Sequence, residues 1–139
     1  MVIWVTGMSG AGKTTVCHAL WEALDRRVPG LVILDGDAVR QSISFDLGYE
    51  EKDRVTQITR IQRLAKMLSD QGLVVLVAAL YANSELLAWN RHNIDAYIEI
   101  YLRVSLEALQ KRDAKSLYSG TRPDVVGVDI PWNEPVAPD

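Results

Sequence analysis

With 139 residues, 48% of them hydrophobic and 24% charged, the chain has the size and composition of one domain that can bury its own core. A formal net charge of −3 argues against bulk attraction to nucleic acid or to an acidic membrane. The single cysteine, Cys17, excludes an intrachain disulfide and fits an expected cytoplasmic location.

The apolar, β-branched run Val2–Thr6 reads as a first strand. It lacks a basic flank and is too short for a signal peptide or a membrane span. A helix is expected over 14–24, with Val16, Ala19, Leu20, Ala23 and Leu24 on one face. Further apolar runs at 31–34, 73–80 and 97–104 predict three more strands, and near-continuous apolarity is what strands covered on both faces require. Helical spacing of Ile58, Ile61, Leu64, Ala65 and Leu68 predicts a helix over 54–71, stopped by Gly72. Ser105 is placed to cap a helix over Leu106–Arg112. From Ser119 onward, Gly, Pro and Asp predict loop. Strands alternating with helices imply a single α/β domain over 1–139, a parallel sheet with helices on both faces.

Between the first strand and the first helix lies Gly7-Met8-Ser9-Gly10-Ala11-Gly12-Lys13-Thr14, a full match to G-x-x-x-x-G-K-[ST] in the context that motif requires. Glycines let backbone N–H groups close around phosphate oxygens, and the helix N-terminus adds positive potential. Lys13 is placed to reach the β- and γ-phosphates of a bound nucleotide, and the Thr14 hydroxyl to ligate Mg²⁺. The fold is therefore read as a P-loop NTPase fold. No N-K-x-D segment reads guanine, and no Glu follows an apolar strand as motor ATPases need. A small-molecule kinase is the favoured class.

After the second strand comes Leu34-Asp35-Gly36-Asp37-Ala38-Val39-Arg40. C-terminal strand ends of a parallel sheet face the ligand crevice. Two carboxylates there could hold a Mg²⁺-bound water and accept a hydroxyl proton. An Asx turn followed by a helix cap accounts for Asp-Gly-Asp equally well.

These motifs in order resemble the adenylylsulfate (APS) kinases, whose pattern is G-x-S-G-x-G-K-[ST], then L-D-G-D-x-[VI]-R, then L-G-[FY]-x-x-x-D-R. The third is present as Leu47-Gly48-Tyr49-Glu50-Glu51-Lys52-Asp53-Arg54. The family's R-D-x-K-x-L-Y is present as Arg112-Asp113-Ala114-Lys115-Ser116-Leu117-Tyr118, and its G-[IV]-D as Gly127-Val128-Asp129. The matches span nearly the whole chain.

The resemblance implies ATP and Mg²⁺ on Gly7, Ser9, Gly10, Ala11, Gly12, Lys13, Thr14 and Thr15, with Gly127 and Val128 beside the adenine. It implies metal contacts through Thr14 and Asp35, and Asp37 as the base or orienting carboxylate for a ribose 3′-hydroxyl. Arg40 and Arg54 would bind the acceptor's anionic end, with Lys115 near it, and Tyr49 would stack on its base. Arg112 would be a lid arginine on the transferring phosphoryl group, within a lid at about 111–126. A homodimer is a family-level expectation; neither nucleic acid nor membrane is an expected partner.

The chain departs from the family pattern in places that concern the acceptor. Tyr81 stands where the family carries the Ser of I-S-P, Gln57 replaces an Asn, and Val125 occupies the position of a base-stacking Phe. A related branch, which phosphorylates cytidine diphosphoramidate in bacterial capsule modification, carries W-N-R and V-V-G-V-D. This chain is similar to it at Trp89-Asn90-Arg91 and 125–129. Trp89 as a core helix aromatic is the plainer reading. Family members continue with a strand and helix that have no counterpart before Asp139. The expected function is transfer of the γ-phosphate of ATP to a ribose hydroxyl of a small nucleotide. Adenylyl sulfate ranks first as acceptor and cytidine diphosphoramidate second, and a non-catalytic nucleotide-binding protein is the reading from another class.

Overall fold

The computed structural model describes residues 1–81, 83–112 and 123–139. Four strands form one sheet: β1 (Val2–Thr6), β2 (Leu31–Asp35), β3 (Val74–Ala79) and β4 (Tyr97–Tyr101). The order is β2-β3-β1-β4 and every pairing is parallel, with Val2 opposite Val75 and Tyr97, and Leu31 opposite Val74. All C-terminal strand ends therefore point the same way.

The period-2 alternation of β1 and β3 divides the core between the two faces of the sheet. Ile3, Val5, Leu76 and Ala78 pack against Cys17, Val16 and Leu20 of α1 (Lys13–Leu24). Val2, Trp4, Val75, Val77 and Ala79 pack against Ile58, Ile61 and Ala65 of α3 (Glu51–Asp70) and Leu87 of α4 (Ser84–Asn93). Helices thus cover both faces, as the sequence implies. On α1 the buried stripe centres on Cys17, and Ala19 and Ala23 are exposed rather than inward. Burial, then the Asp35 carboxylate, push the Cys17 thiol up to about 11.

Two helices are additional to the sequence expectation. The eight-residue α2 (Gly36–Ile43) is short and is capped by Asp35, whose side chain accepts from the Asp37 and Ala38 amides. The helix α4 is capped by Asn83, whose side chain accepts from the Leu86 amide at 2.8 Å. The Ser105 hydroxyl accepts from the Ala108 amide at 3.2 Å and begins α5 (Leu106–Arg112) as expected. The described tail, 123–139, holds no helix or strand beyond an isolated bridge between Val126 and Ile130, yet both residues are buried. On the outer edge of β4, the Glu99 amide donates to the Asp139 carboxylate and the Asp139 amide to the Glu99 carbonyl, each at 2.9 Å.

Candidate active site

The loop between β1 and α1 is built on backbone conformations that side chains disfavour. Gly12, the N-cap of α1, is left-handed at φ 98°, and Gly7 lies at φ 151° where an added Cβ would meet the Leu102 carbonyl oxygen at 2.8 Å. The Lys13 ammonium arches back to donate to the Gly7 and Met8 carbonyls, both at 2.8 Å. It is thereby held over the loop whose amides open the α1 N-terminus.

Asp35 ends β2 and uses its two oxygens differently. Oδ1 accepts from the Asp37 amide at 2.9 Å and the Ala38 amide at 3.4 Å, capping α2. Oδ2 accepts from the Thr14 hydroxyl at 2.6 Å. The helix-cap reading of Asp-Gly-Asp therefore holds for Asp35, whose other oxygen faces the phosphate loop through Thr14. An oxygen pair of hydroxyl and carboxylate beside a phosphate loop fits Mg²⁺, which prefers few protein oxygens plus phosphate and water.

A cleft of about 1220 Å³ runs from this loop to α3 and the tail. Ser9, Gly10, Gly12, Lys13, Thr14 and Thr15 line its phosphate end. Asp35, Asp37, Arg40, Tyr49, Arg54, Gln57, Tyr81 and Val125 line the remainder. The Arg40 guanidinium lies 4.8 Å from the Tyr49 ring centroid and donates to the Gly48 carbonyl at 2.7 Å. Arg54 lies 5.8 Å from the same ring and donates to the Asp124 carbonyl at 2.6 Å. Burial, then repulsion from Arg40, lowers the Arg54 pKa, with Asp124 opposing. An arginine stays protonated under that pressure. Two guanidiniums held together at one end of the cleft make a strong attraction for an anion.

Gln57 is buried and donates its amide to the Gly36 carbonyl at 3.1 Å, tying α3 to the start of α2. Tyr81 is also buried, and its hydroxyl donates to Glu51 Oε1 at 2.7 Å. Burial, then the Glu51 carboxylate, push its pKa up to about 12.

A family model described as adenylylsulphate kinase matches residues 1–139. The chain belongs to the adenylylsulphate kinase family. It is 41% identical to an adenylyl-sulfate kinase of Pseudomonas entomophila, over 98% of this chain and 68% of that one. It is 36% identical to the cytidine diphosphoramidate kinase of Campylobacter jejuni, over 98% of this chain and 82% of that one. Among solved structures, the Mycobacterium tuberculosis APS kinase in complex with AMPPNP and APS matches with a TM-score of 0.90 at 32% identity, covering 99% of this chain and 84% of that chain. The P-loop NTPase fold expected from the sequence is the fold of this family, and its members are kinases.

Most of the residues that the family resemblance singles out converge on the cleft; a few do not. Gly7 and Ala11 shape the phosphate loop without lining the cleft. Gly127, at φ 89°, abuts the loop instead: an added Cβ would meet Met8 Sδ at 2.8 Å. Val128 beside it is 59% exposed. Arg112 is exposed at the end of α5 and does not line the cleft. Its helix reaches the loop through Leu109, whose side chain would lie 3.6 Å from a Cβ on Gly10. Lys115, with 113–122 of the expected lid, lies outside the described residues.

The Trp-Asn-Arg segment is structural among the described residues. Trp89 stacks under Arg63 of α3 at 4.3 Å and does not line the cleft. Asn90 is fully buried, accepting from Gln62 at 2.9 Å and donating to the Tyr97 hydroxyl at 3.1 Å. Arg91 pairs with Asp139 at 3.2 Å and Glu99 at 3.7 Å. Trp89 is half-buried on α4 rather than part of the core. Conversely, sequence reasoning passed over Phe45, the chain's one phenylalanine, which lines the cleft and is 83% exposed. An aromatic four residues before Tyr49 in a polar loop was the available signal.

No described helix is long and apolar enough to cross a membrane.

Proposed function

We propose that the chain transfers the γ-phosphate of ATP to a ribose hydroxyl of a nucleotide that carries a second anionic group beyond its α-phosphate, with adenylyl sulfate as the acceptor. The observation that carries this reading is the Thr14–Asp35 contact at 2.6 Å. It joins the phosphate loop directly to the Asp-Gly-Asp turn within a cleft whose other end holds Arg40 and Arg54. Donor phosphate and acceptor anion would thus have separate cationic seats, with Asp37 lining the same cleft.

In this reading the loop 7–15 binds the ATP phosphates, Lys13 neutralises the transferring group, and Gly127 and Val128 border the adenine. Thr14 and Asp35 would hold Mg²⁺, which supplies charge neutralisation on the phosphate oxygens. Asp37 orients the acceptor hydroxyl and takes its proton. Arg40 and Arg54 hold the acceptor anion, and Tyr49 offers a face to its base. Arg112 and Lys115 act from the lid, and we extend the family expectation of a homodimer to this chain. Catalysis is by positioning and charge, without a covalent intermediate.

Cytidine diphosphoramidate is the second reading, favoured by Tyr81 and the aliphatic Val125 in the cleft wall and by the relative of that name. A panel measuring ADP release separates them. Stimulation by adenylyl sulfate is expected; stimulation by cytidine diphosphoramidate alone would promote the second reading. Silence with every acceptor would leave a non-catalytic nucleotide binder. Asp37→Ala should abolish transfer while ATP binding survives, and near-normal turnover would remove Asp37 from its role.

A further inference from the structure

The acceptor end of the cleft presents two aromatic rings on one short loop. Tyr49 is 59% exposed although Arg40 and Arg54 both lie over its ring. Phe45 lines the same cleft at 83% exposure. An exposed phenyl ring is unremarkable on a mobile surface, but this loop is braced at both ends. Arg60 of α3 donates to both Asp46 carboxylate oxygens, at 2.6 and 2.7 Å, and to the Ile43 carbonyl at 3.1 Å. Arg40 donates to the Leu47 and Gly48 carbonyls at 3.3 and 2.7 Å. Ser44, immediately before Phe45, is fully buried, and its carbonyl accepts from the Leu47 amide at 3.1 Å. The turn is anchored on each side of Phe45, and the phenyl ring is what it holds outward.

The rest of the cleft is rich in charge, and across from this loop the tail contributes the aliphatic Val125. Of an acceptor nucleotide, the anionic end suits the guanidiniums of Arg40 and Arg54. Its base is a flat apolar surface that needs another one.

We propose that Phe45 is a second base-stacking residue of the acceptor site, forming with Tyr49 an aromatic wall against the acceptor's nucleobase. This rests on the nucleotide-kinase reading above. Such stacking tolerates both purine and pyrimidine, because every base has a π-face. It supplies contact area that Val125 cannot.

The test is Phe45→Ala beside Phe45→Trp in the full chain. Acceptor KM and kcat are measured with adenylyl sulfate, and adenylyl sulfate binding is measured by calorimetry with ADP and Mg²⁺ present. Alanine should raise the acceptor KM and Kd about tenfold, equal to about 1.4 kcal/mol, with the ATP KM unchanged and kcat changed less than twofold. Tryptophan should restore the affinity. A purely structural residue would not produce that split, and because the ring is exposed, thermal unfolding should be unaltered by either change. Unchanged acceptor KM and Kd in the alanine variant would overturn the proposal. So would a variant that alters only self-association in sedimentation, which would mark Ile43 and Phe45 as a protein-contact patch. If no acceptor is turned over yet the alanine variant still loses binding, the kinase reading fails and the stacking role stands.

Discussion

Replacing Asp35 separates folding from metal-dependent chemistry, because its two oxygens have different partners. Oδ1 caps α2 through the Asp37 and Ala38 amides, and Oδ2 receives the Thr14 hydroxyl. Asp35→Ala removes both. Loss of an N-cap costs about 1 kcal/mol, and a hydrogen bond to a partly exposed carboxylate contributes about 1 kcal/mol more. The sum, about 2 kcal/mol, corresponds to a fall in Tm of about 7 °C for a chain of this length. Asp35→Asn keeps an acceptor oxygen for the cap, since Asn caps as well as Asp, but loses the charge facing Thr14. It should melt within about 3 °C of wild type. Both variants should need about tenfold more Mg²⁺ for half-maximal ADP release, because divalent ions favour charged oxygen sites. Circular dichroism melts and Mg²⁺ titrations of kinase activity read the two effects apart. A wild-type Mg²⁺ requirement in Asp35→Asn would refute the metal-side role, and a wild-type melt in Asp35→Ala would refute the cap.

Gly7→Ala should destabilise by on the order of 2 kcal/mol and weaken ATP binding, because its methyl group meets the Leu102 carbonyl; an ATP Kd equal to wild type would contradict that contact. Tyr81 has a folded pKa of about 12, above the ordinary value of 10.0. Its stabilising contribution is therefore full below pH 10 and is lost as pH rises towards 12. Ultraviolet titration should show a tyrosine ionising near 12 that Tyr81→Phe lacks. Burial raises the Glu99 carboxyl against the opposing pull of the Tyr97 hydroxyl and Arg91. Its folded state holds the proton more tightly than the unfolded one, so stability is highest below the usual carboxylate range and falls as pH rises through the raised value. Glu99→Gln should unfold at a higher denaturant concentration than wild type at pH 7 and lose that dependence; a less stable variant would show that the ion pair with Arg91 outweighs the burial.

Legibility of the site tracked how local each signal is. The phosphate loop could be read because one unbroken segment supplies strand, glycines, lysine and helix start. Arg40 and Arg54 needed the resemblance: fourteen residues apart in sequence, they meet only because α2 and α3 bring both guanidiniums to the Tyr49 ring. A motif match at Trp89-Asn90-Arg91 carries no direction, and α4 turns the Trp89 side chain towards Arg63 rather than towards the cleft. Phe45 stands in the sequence only as an aromatic in a polar loop; its exposure and the bracing by Arg60 and Arg40 belong to the tertiary structure.

By itself the sequence determined the parallel α/β sheet, the coverage of both its faces and the position of the phosphate loop, since these follow from apolar periodicity and from glycines at fixed spacing. Tertiary structure alone decided which side chains share the cleft. It set Asp35 to serve cap and Thr14 together, buried Gln57 and Tyr81 in the wall, and turned the Trp-Asn-Arg segment towards α3 and β4. The physical reason is that strand and helix periods are local properties. Convergence of side chains from α2, α3 and the tail depends on how those elements pack over the C-terminal ends of the strands.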